Sequence, residues 1–291
     1  MRVEAVVERL WPGRVVSVEV LRGGITNHNL KVTLADGEAY VVRVPGERTE
    51  LLGIDRRAEH EAALAAAAVG VGPQIEAFVE PEGWLVWRFI EGEGVAVERM
   101  REPESLRRVA QSLRAVHAGP PIRSRFDSFR VVEDCRLRAE QHGARIPAAF
   151  GRASEVAGRI ERTRRAVPER PCHNDLLNAN FIDDGTRIRI VDWEYAGMGD
   201  VAFDLANFSM NHELRRDETA ELLRAYRGEL RPDDVRAVTL MRFMSDFREA
   251  MWGVLQSAIS ELDFDFAGYA GEHFERLERT AASRTFRRAL R

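Results

Sequence analysis

Residues 172–180 read Cys-His-Asn-Asp-Leu-Leu-Asn-Ala-Asn, and Asp192 follows at the end of a short apolar run. The spacing is a histidine, an aspartate two residues later, an asparagine five residues after that, and a second aspartate twelve residues further on. Residues 179–182 and 187–191 are predicted to be strands joined by a turn at 183–185. This hairpin would bring the asparagine and the second aspartate together.

These residue types suit phosphoryl transfer. Asp175 can take the proton of an acceptor hydroxyl, and Asn180 and Asp192 offer the oxygen ligands that Mg²⁺ prefers. A single aspartate would more simply cap a turn or end a strand. The full set at these intervals favours a catalytic site.

A glycine-containing break separates the first two predicted strands. Gly23 and Gly24 would let the backbone approach a phosphate, and Thr26 and Asn27 can donate hydrogen bonds to it. A Gly-Gly pair alone is usually only a turn. Its position between two strands is what favours a phosphate-binding loop.

The cation expected near the phosphates is an arginine. The lone lysine, Lys31, lies on the second predicted strand, whereas Arg43 lies on the third, and a guanidinium can contact phosphate bidentately. Glu59 and Glu61 lie on the following helix, and Glu59 fits the position of a partner for Arg43 better. The alternative for Arg43 is an exposed strand charge.

The secondary-structure pattern predicts an α+β fold. The first ninety residues indicate five mostly antiparallel strands with one helix between the third and fourth, and the chain beyond them is mainly helical. A break at residues 91–94 suggests two lobes, 1–91 for nucleotide and 92–291 for the catalytic loop and acceptor pocket. The predicted strands are 17–21, 28–34, 38–44, 74–79 and 84–90, and the predicted helix runs from an N-cap at Asp55 to Val69.

Several segments together resemble the choline/ethanolamine kinase branch of the aminoglycoside phosphotransferase and protein-kinase-like superfamily. Asn174 stands between His and Asp, where protein kinases have Arg, and no A-P-E-like signal follows Asp192. The resemblance covers most of the chain and implies a two-lobed, protein-kinase-like fold that uses ATP and Mg²⁺. The matching segments are 173–180, 192–197, 203–207, 252–260 and 264–270.

The resemblance also assigns roles to particular residues. The backbone of Arg88 and Ile90 would hydrogen-bond adenine, and Asp204 would anchor the catalytic loop. His117 and His173 are expected to be structural rather than catalytic.

The expected acceptor is the hydroxyl of a choline- or ethanolamine-type amino alcohol. Aromatic side chains and carboxylates hold such cationic headgroups, and the family pattern points to Glu194, Tyr195, Glu249 and Trp252. Glu249 stands where the family often has another Trp. The expected cage therefore has fewer aromatic side chains than is common in the family, and a carboxylate at Glu249 suits a primary amine.

Other acceptors and a silent protein are competing hypotheses. An aminoglycoside would want an acidic pocket, which Asp246, Glu249, Glu261 and Asp263 could supply, although the aromatic residues argue against it. Thiamine or sugar kinases belong to the same superfamily. A nucleotide-binding pseudokinase is disfavoured by the intact set of Asp175, Asn180 and Asp192.

Net charge, cysteine content and the distribution of apolar residues limit the expected partners and location of the protein. The chain has 291 residues and a net charge of -4, so it shows no overall basic character for nucleic acid or an anionic membrane. Its two cysteines and the absence of an apolar signal core or membrane-length apolar run indicate a cytoplasmic protein without membrane insertion. Family members include dimers, so a homodimer is compatible with the resemblance, but no interface is identified.

Overall fold

The structure, a computed structural model, describes residues 3–21, 27–164 and 167–291. It confirms the predicted α+β class, because an antiparallel five-stranded sheet precedes a mainly helical remainder. Over the described residues the strands are β1 (Val15–Leu21), β2 (Asn27–Leu34), β3 (Ala39–Pro45), β4 (Ile75–Val79), β5 (Trp84–Arg88), β6 (Glu93–Gly94), β7 (Arg170–Cys172), β8 (Phe181–Asp183), β9 (Ile188–Ile190) and β10 (Gly197–Gly199).

Helices pack on both faces of the sheet and form most of the chain after it. No helix among the described residues is long and apolar enough to cross a membrane. The helices are α1 (Val3–Leu10), α2 (Arg56–Ala68), α3 (Pro103–His117), α4 (Ser128–Gln141), α5 (Ala149–Thr163), α6 (Val201–Asn211), α7 (Arg216–Arg227), α8 (Pro232–Ile259), α9 (Phe266–Ala282) and α10 (Arg284–Ala289), with short 3₁₀ turns at Thr49–Leu52, Arg99–Arg101 and Asn178–Asn180.

The five-stranded sheet has the order β1-β2-β3-β5-β4, with every neighbouring pair antiparallel. The predicted hairpin turn between β2 and β3 is confirmed, since Gly37 has a φ of 87° and Asp36 accepts a hydrogen bond from the Glu38 N–H at 3.1 Å. Successive residues of β3 face opposite sides, so Val41 joins the core shared with α2 while Val42 joins a second core.

Helix α1 lies on the second core and was not expected from the sequence. The prediction of only one helix in the first ninety residues is wrong, because α1 precedes α2. Val6, Val7 and Trp11 pack in one buried cluster with the face of the sheet opposite α2. An eight-residue helix is marginal by itself, so this one depends on that packing. The prediction for α2 holds, including Asp55 as its N-cap.

The β8–β9 hairpin is bonded to the chain that leaves α2. The N–H of Ile190 donates to the Val71 carbonyl at 3.1 Å, and Arg187 Nη1 donates to the Gly70 carbonyl at 2.8 Å. These bonds fix the helix that carries Glu59 relative to the strand end that carries Asp192.

The segment after residue 91 also joins this hairpin. β6 pairs antiparallel with β8, and a Cβ added at Gly92 would lie 2.5 Å from the Asp183 carbonyl oxygen. Only glycine fits this close approach. The boundary between residues 91 and 92 stays a prediction.

Candidate active site

Asp204, in the first turn of α6, accepts hydrogen bonds from the backbone of the catalytic loop. Its Oδ2 accepts from the His173 N–H at 2.8 Å and its Oδ1 from the Asn174 N–H at 2.6 Å, while His117 Nε2 lies 3.0 Å from Oδ2. Burial opposes ionisation of this carboxyl, but the hydrogen bond and charge of His117 and the donated N–H groups lower its pKa. The predicted anchoring contact of Asp204 is confirmed.

His173 links the loop to the strand end that precedes Asp192. The N–H of Asp175 donates to His173 Nδ1 at 3.2 Å, so the ring proton sits on Nε2 and is donated to the Val191 carbonyl at 2.9 Å. Burial lowers the pKa of His173, which favours this neutral form. These contacts are structural, as the sequence predicts for this residue.

Two backbone positions near the site have left-handed conformations. Asn174 has a φ of 67° and Asp192 a φ of 69°. Asn and Asp tolerate this region better than most residues. The turn at Asp192 places its carboxylate, which keeps 22% exposure, beside the guanidinium of Arg43.

Arg43 is a buried cation shared by two carboxylates. It forms an ion pair with Glu59, and its Nη2 lies 2.7 Å from Asp192 Oδ1. Burial opposes its charge, but the carboxylates of Asp192 and Glu59 raise its pKa and keep it protonated. The structure therefore brings together the strand cation, the helix glutamate and the second aspartate of the sequence analysis.

Arg56 extends this network and was missed in the sequence. Its Nη1 lies 2.7 Å from Glu59 Oε2 and 3.1 Å from Glu194 Oε2, and its Nη2 donates to Asn27 Oδ1 at 2.9 Å. Asn27 Nδ2 in turn donates to Glu194 at 2.8 Å. Glu194, predicted to contact substrate, thus contacts residues of the predicted phosphate loop and of α2.

Asn180 and Asp192 fit a divalent cation. Asn180 uses its Nδ2 to donate to the Asp175 carbonyl at 2.8 Å, so its Oδ1 is the atom suited to a metal. The backbone carbonyl of Asn180 accepts from the Val191 N–H at 3.0 Å, which holds Asn180 next to the strand end that precedes Asp192. Asp192 Oδ1 is ion-paired with Arg43 Nη2, and the Asp192 side chain keeps 22% exposure, so a cation can still reach its carboxylate.

Arg248, in the middle of α8, lies on the other side of Asp175. Its Nη1 lies 3.0 Å from Asp175 Oδ1 and also pairs with Glu249 Oε1, whose other oxygen accepts from the Tyr269 hydroxyl at 2.9 Å. Arg248 and Glu249 are adjacent buried charges in the middle of α8, which also buries Asp246. That pairing was the available sequence signal, and it went unused for Arg248.

Aromatic side chains lie next to Arg248 and Glu249. The Cζ of Arg248 lies 4.3 Å from the ring centroid of Tyr195, and Trp252 Nε1 donates to the Tyr195 hydroxyl at 3.0 Å. The ring centroids of Trp252 and Tyr269 are 5.7 Å apart. Tyr195 and Glu249 therefore contact one buried guanidinium, and Trp252 joins them through its hydrogen bond to Tyr195.

The carboxyl of Asp175 has an unusual environment. Burial raises its pKa, Arg248 opposes that shift, and the charges of Glu249 and Asp192 add to it, giving a pKa of about 7. Burial also raises the pKa of Glu249. The charges of Arg248 and His273 and the hydrogen bond from Tyr269 outweigh burial, so the pKa of Glu249 is lowered. Of this pair, Asp175 is the one that takes up a proton near neutrality.

Some predicted site residues are not tested by these contacts. Gly23, Gly24 and Thr26 lie outside the described residues. The side chain of Arg88 is turned to Glu38 at 2.8 Å, at the end of β5, and Ile90 follows two residues later. Their backbone contacts to adenine stay a prediction.

Arg43 pairs with Glu59 and Asp192, and Asp175 of the catalytic loop is linked through Arg248 to Glu249 and Tyr195. The sequence profile of the phosphotransferase enzyme family matches residues 17–239. The chain belongs to this family. Within the phosphotransferase family it falls in the choline/ethanolamine kinase-like branch, so it is a phosphotransferase with an alcohol as acceptor.

Relatives of known sequence or structure support this placement. Mouse ethanolamine kinase 2 is 27% identical, over 89% of this chain and 75% of its own length. A choline/ethanolamine kinase family protein from Mesorhizobium loti superposes with a TM-score of 0.86 at 30% identity, covering 99% of this chain and 97% of that one. A crystal structure of LicA in complex with AMP has a TM-score of 0.78 at 24% identity, covering 96% of each chain, and supports the fold.

Proposed function

We propose that the chain is an ATP-dependent kinase that transfers the γ-phosphoryl group to the hydroxyl of an ethanolamine- or choline-type amino alcohol. One observation carries this proposal. Asp175 is buried, its backbone carbonyl accepts from Asn180 Nδ2, and its carboxylate pairs with Arg248, which in turn contacts Glu249 and Tyr195. A base next to two oxygen ligands suits phosphoryl transfer, and an acidic, aromatic pocket suits a cationic alcohol.

In this mechanism Asp175 acts as the base. Arg248 binds its Oδ1, so we assign Oδ2 to accept the proton of the acceptor hydroxyl. The acceptor oxygen then forms a bond to the γ-phosphorus, the bond from that phosphorus to the β–γ bridging oxygen breaks, and ADP leaves. His173 and Asp204 hold the loop so that the carboxylate is in place before the substrates bind.

The triphosphate would lie on the side of Arg43. Asn180 and Asp192 would hold Mg²⁺, which supplies neutralisation of the phosphate charge when bound. Arg43 is oriented by Glu59 and would contact phosphate oxygens. ATP use is supported by this arrangement and by the nucleotide that the LicA structure contains. A cytoplasmic location and a homodimer stay predictions.

An acceptor panel tests the proposal. ADP release with Mg²⁺ and ATP would be measured for ethanolamine, choline, thiamine, several sugars and several aminoglycosides, with Asp175→Asn as the blank. We expect the highest kcat/KM for an amino alcohol. Turnover of only an aminoglycoside or a sugar would overturn the acceptor assignment, and bound nucleotide without any turnover would indicate a binding protein.

The pH profile gives a separate prediction. Because the pKa of Asp175 is raised to about 7 and only the ionised form can accept a proton, activity should be present above that pH and lost below it. The acceptor kcat/KM should fall about tenfold per pH unit on the acid side. A profile that stays flat down to about pH 5.5 would contradict the raised pKa of Asp175 in the working enzyme.

A further inference from the structure

The group of side chains next to Asp175 already contains a cation, the guanidinium of Arg248. Arg248 is 3% exposed, and its Cζ lies 4.3 Å from the ring centroid of Tyr195, within the range of a cation–π contact. The Tyr195 hydroxyl is tied to Trp252 Nε1 at 3.0 Å, which fixes the orientation of the ring. The aromatic face nearest the catalytic carboxylate is thus used by a guanidinium of the protein.

The charges around Arg248 leave room for one more positive charge. Its guanidinium pairs with both Asp175 and Glu249, and the second oxygen of Glu249 is bound by the neutral hydroxyl of Tyr269. With both carboxylates ionised, two negative charges share one positive charge. A monocationic acceptor would neutralise the cluster.

Arg248 also has an N–H donor group that makes no hydrogen bond to the described residues. Its Nη2 is buried and has no hydrogen-bond partner in the described parts of the chain. A buried unpartnered donor is costly, and an oxygen of a bound acceptor would satisfy it. The charges and the unused donor therefore suit a small molecule with a hydrogen-bond-accepting oxygen and a separate positive group.

The nature of that positive group decides how it can bind beside Arg248. A primary ammonium has three N–H donors, and each carboxylate oxygen can accept more than one hydrogen bond, so it can share Glu249 with the guanidinium. A trimethylammonium group has no N–H and depends on aromatic faces. To use the Tyr195 face it would have to displace Arg248, which would leave two buried carboxylates without their cation.

We propose that Arg248 is a specificity-determining residue that selects alcohols with a primary ammonium group over those with a trimethylammonium group. This inference rests on the proposed amino-alcohol function. The guanidinium fills the aromatic site that the larger headgroup needs and leaves the carboxylate edge open to N–H donors.

The test compares kcat/KM for ethanolamine and choline in the wild-type enzyme and in Arg248→Met, which keeps an unbranched side chain but removes the cation. The wild-type enzyme should prefer ethanolamine by about tenfold or more, the size of a good cation–π contact. In Arg248→Met the ratio of choline to ethanolamine use should rise by at least about tenfold, even where total activity falls.

Two controls keep the result interpretable. Arg242→Met removes another largely buried arginine of α8, one that contacts Met210 and the Leu214 carbonyl, and it should leave the ratio unchanged. In the wild-type enzyme, ethylammonium should inhibit more strongly than tetramethylammonium. That measurement holds even if the Arg248 variant folds poorly.

The outcomes separate the two ideas. Equal use of choline and ethanolamine by the wild-type enzyme, or an unchanged ratio in folded Arg248→Met, overturns the role of Arg248 alone. Turnover of neither amino alcohol, with turnover of another alcohol on the panel, overturns the proposed function and with it this inference.

Discussion

Asp175→Asn should lower kcat by about 10² to 10⁴-fold, the usual contribution of a positioned base, while nucleotide affinity stays near that of the wild-type enzyme. The amide cannot accept the hydroxyl proton, but it has the size of the carboxyl group it replaces. Arg248 keeps its ion pair with Glu249, and the loop keeps its bonds to Asp204, so the fold should survive.

Steady-state kinetics and nucleotide binding by calorimetry check this result. Asp184→Asn is the matched control, since Asp184 lies in the turn of the β8–β9 hairpin and bonds to Thr186 and Arg187. That variant should retain activity. If Asp175→Asn lost nucleotide affinity together with turnover, Asp175 would be a metal ligand or a structural residue instead of the base.

Asp192→Asn should be equally damaging to kcat and should also weaken the binding of Mg²⁺ and ATP. The change removes a metal-binding charge and one of the two carboxylates that hold Arg43. Loss of electrostatic stabilisation of this kind costs about 10² to 10³-fold in kcat. The Mg²⁺ concentration for half-maximal activity should rise by about tenfold or more, as for a lost charged ligand.

A magnesium titration of nucleotide binding at fixed ATP distinguishes the two variants. Asp175→Asn should retain the wild-type magnesium dependence of nucleotide binding, and Asp192→Asn should not. An unchanged magnesium requirement in Asp192→Asn would remove this residue from the metal site and leave it a partner of Arg43 only.

Features set by neighbouring residues could be predicted from the sequence. The Asp36–Gly37 turn and the Asp55 cap were predicted because a few adjacent residues determine their backbone conformation. The catalytic loop and Asp192 are close in sequence and joined by one hairpin, so their spacing was informative. Helix α1 was missed because its stability comes from the sheet it covers.

Features that depend on distant pairs could not be predicted. Arg56 and Glu194 are 138 positions apart, and Arg248 and Asp175 are 73 positions apart. A single sequence shows that these residues are charged but not which partners they have. Adjacent charges flanked by apolar residues in a long helix suggest such a pairing without identifying the partner, and here the partner is Asp175.

In the proposed reaction the γ-phosphoryl group reaches the oxygen of an amino alcohol at Asp175. The most direct test is phosphorus NMR of the wild-type enzyme with Mg²⁺, ATP and ethanolamine, repeated with Asp175→Asn. We predict a phosphomonoester of ethanolamine that grows in step with ADP in the wild-type enzyme and is absent with the variant. Inorganic phosphate in place of the ester, or the same ester formed at the same rate by Asp175→Asn, would contradict the account.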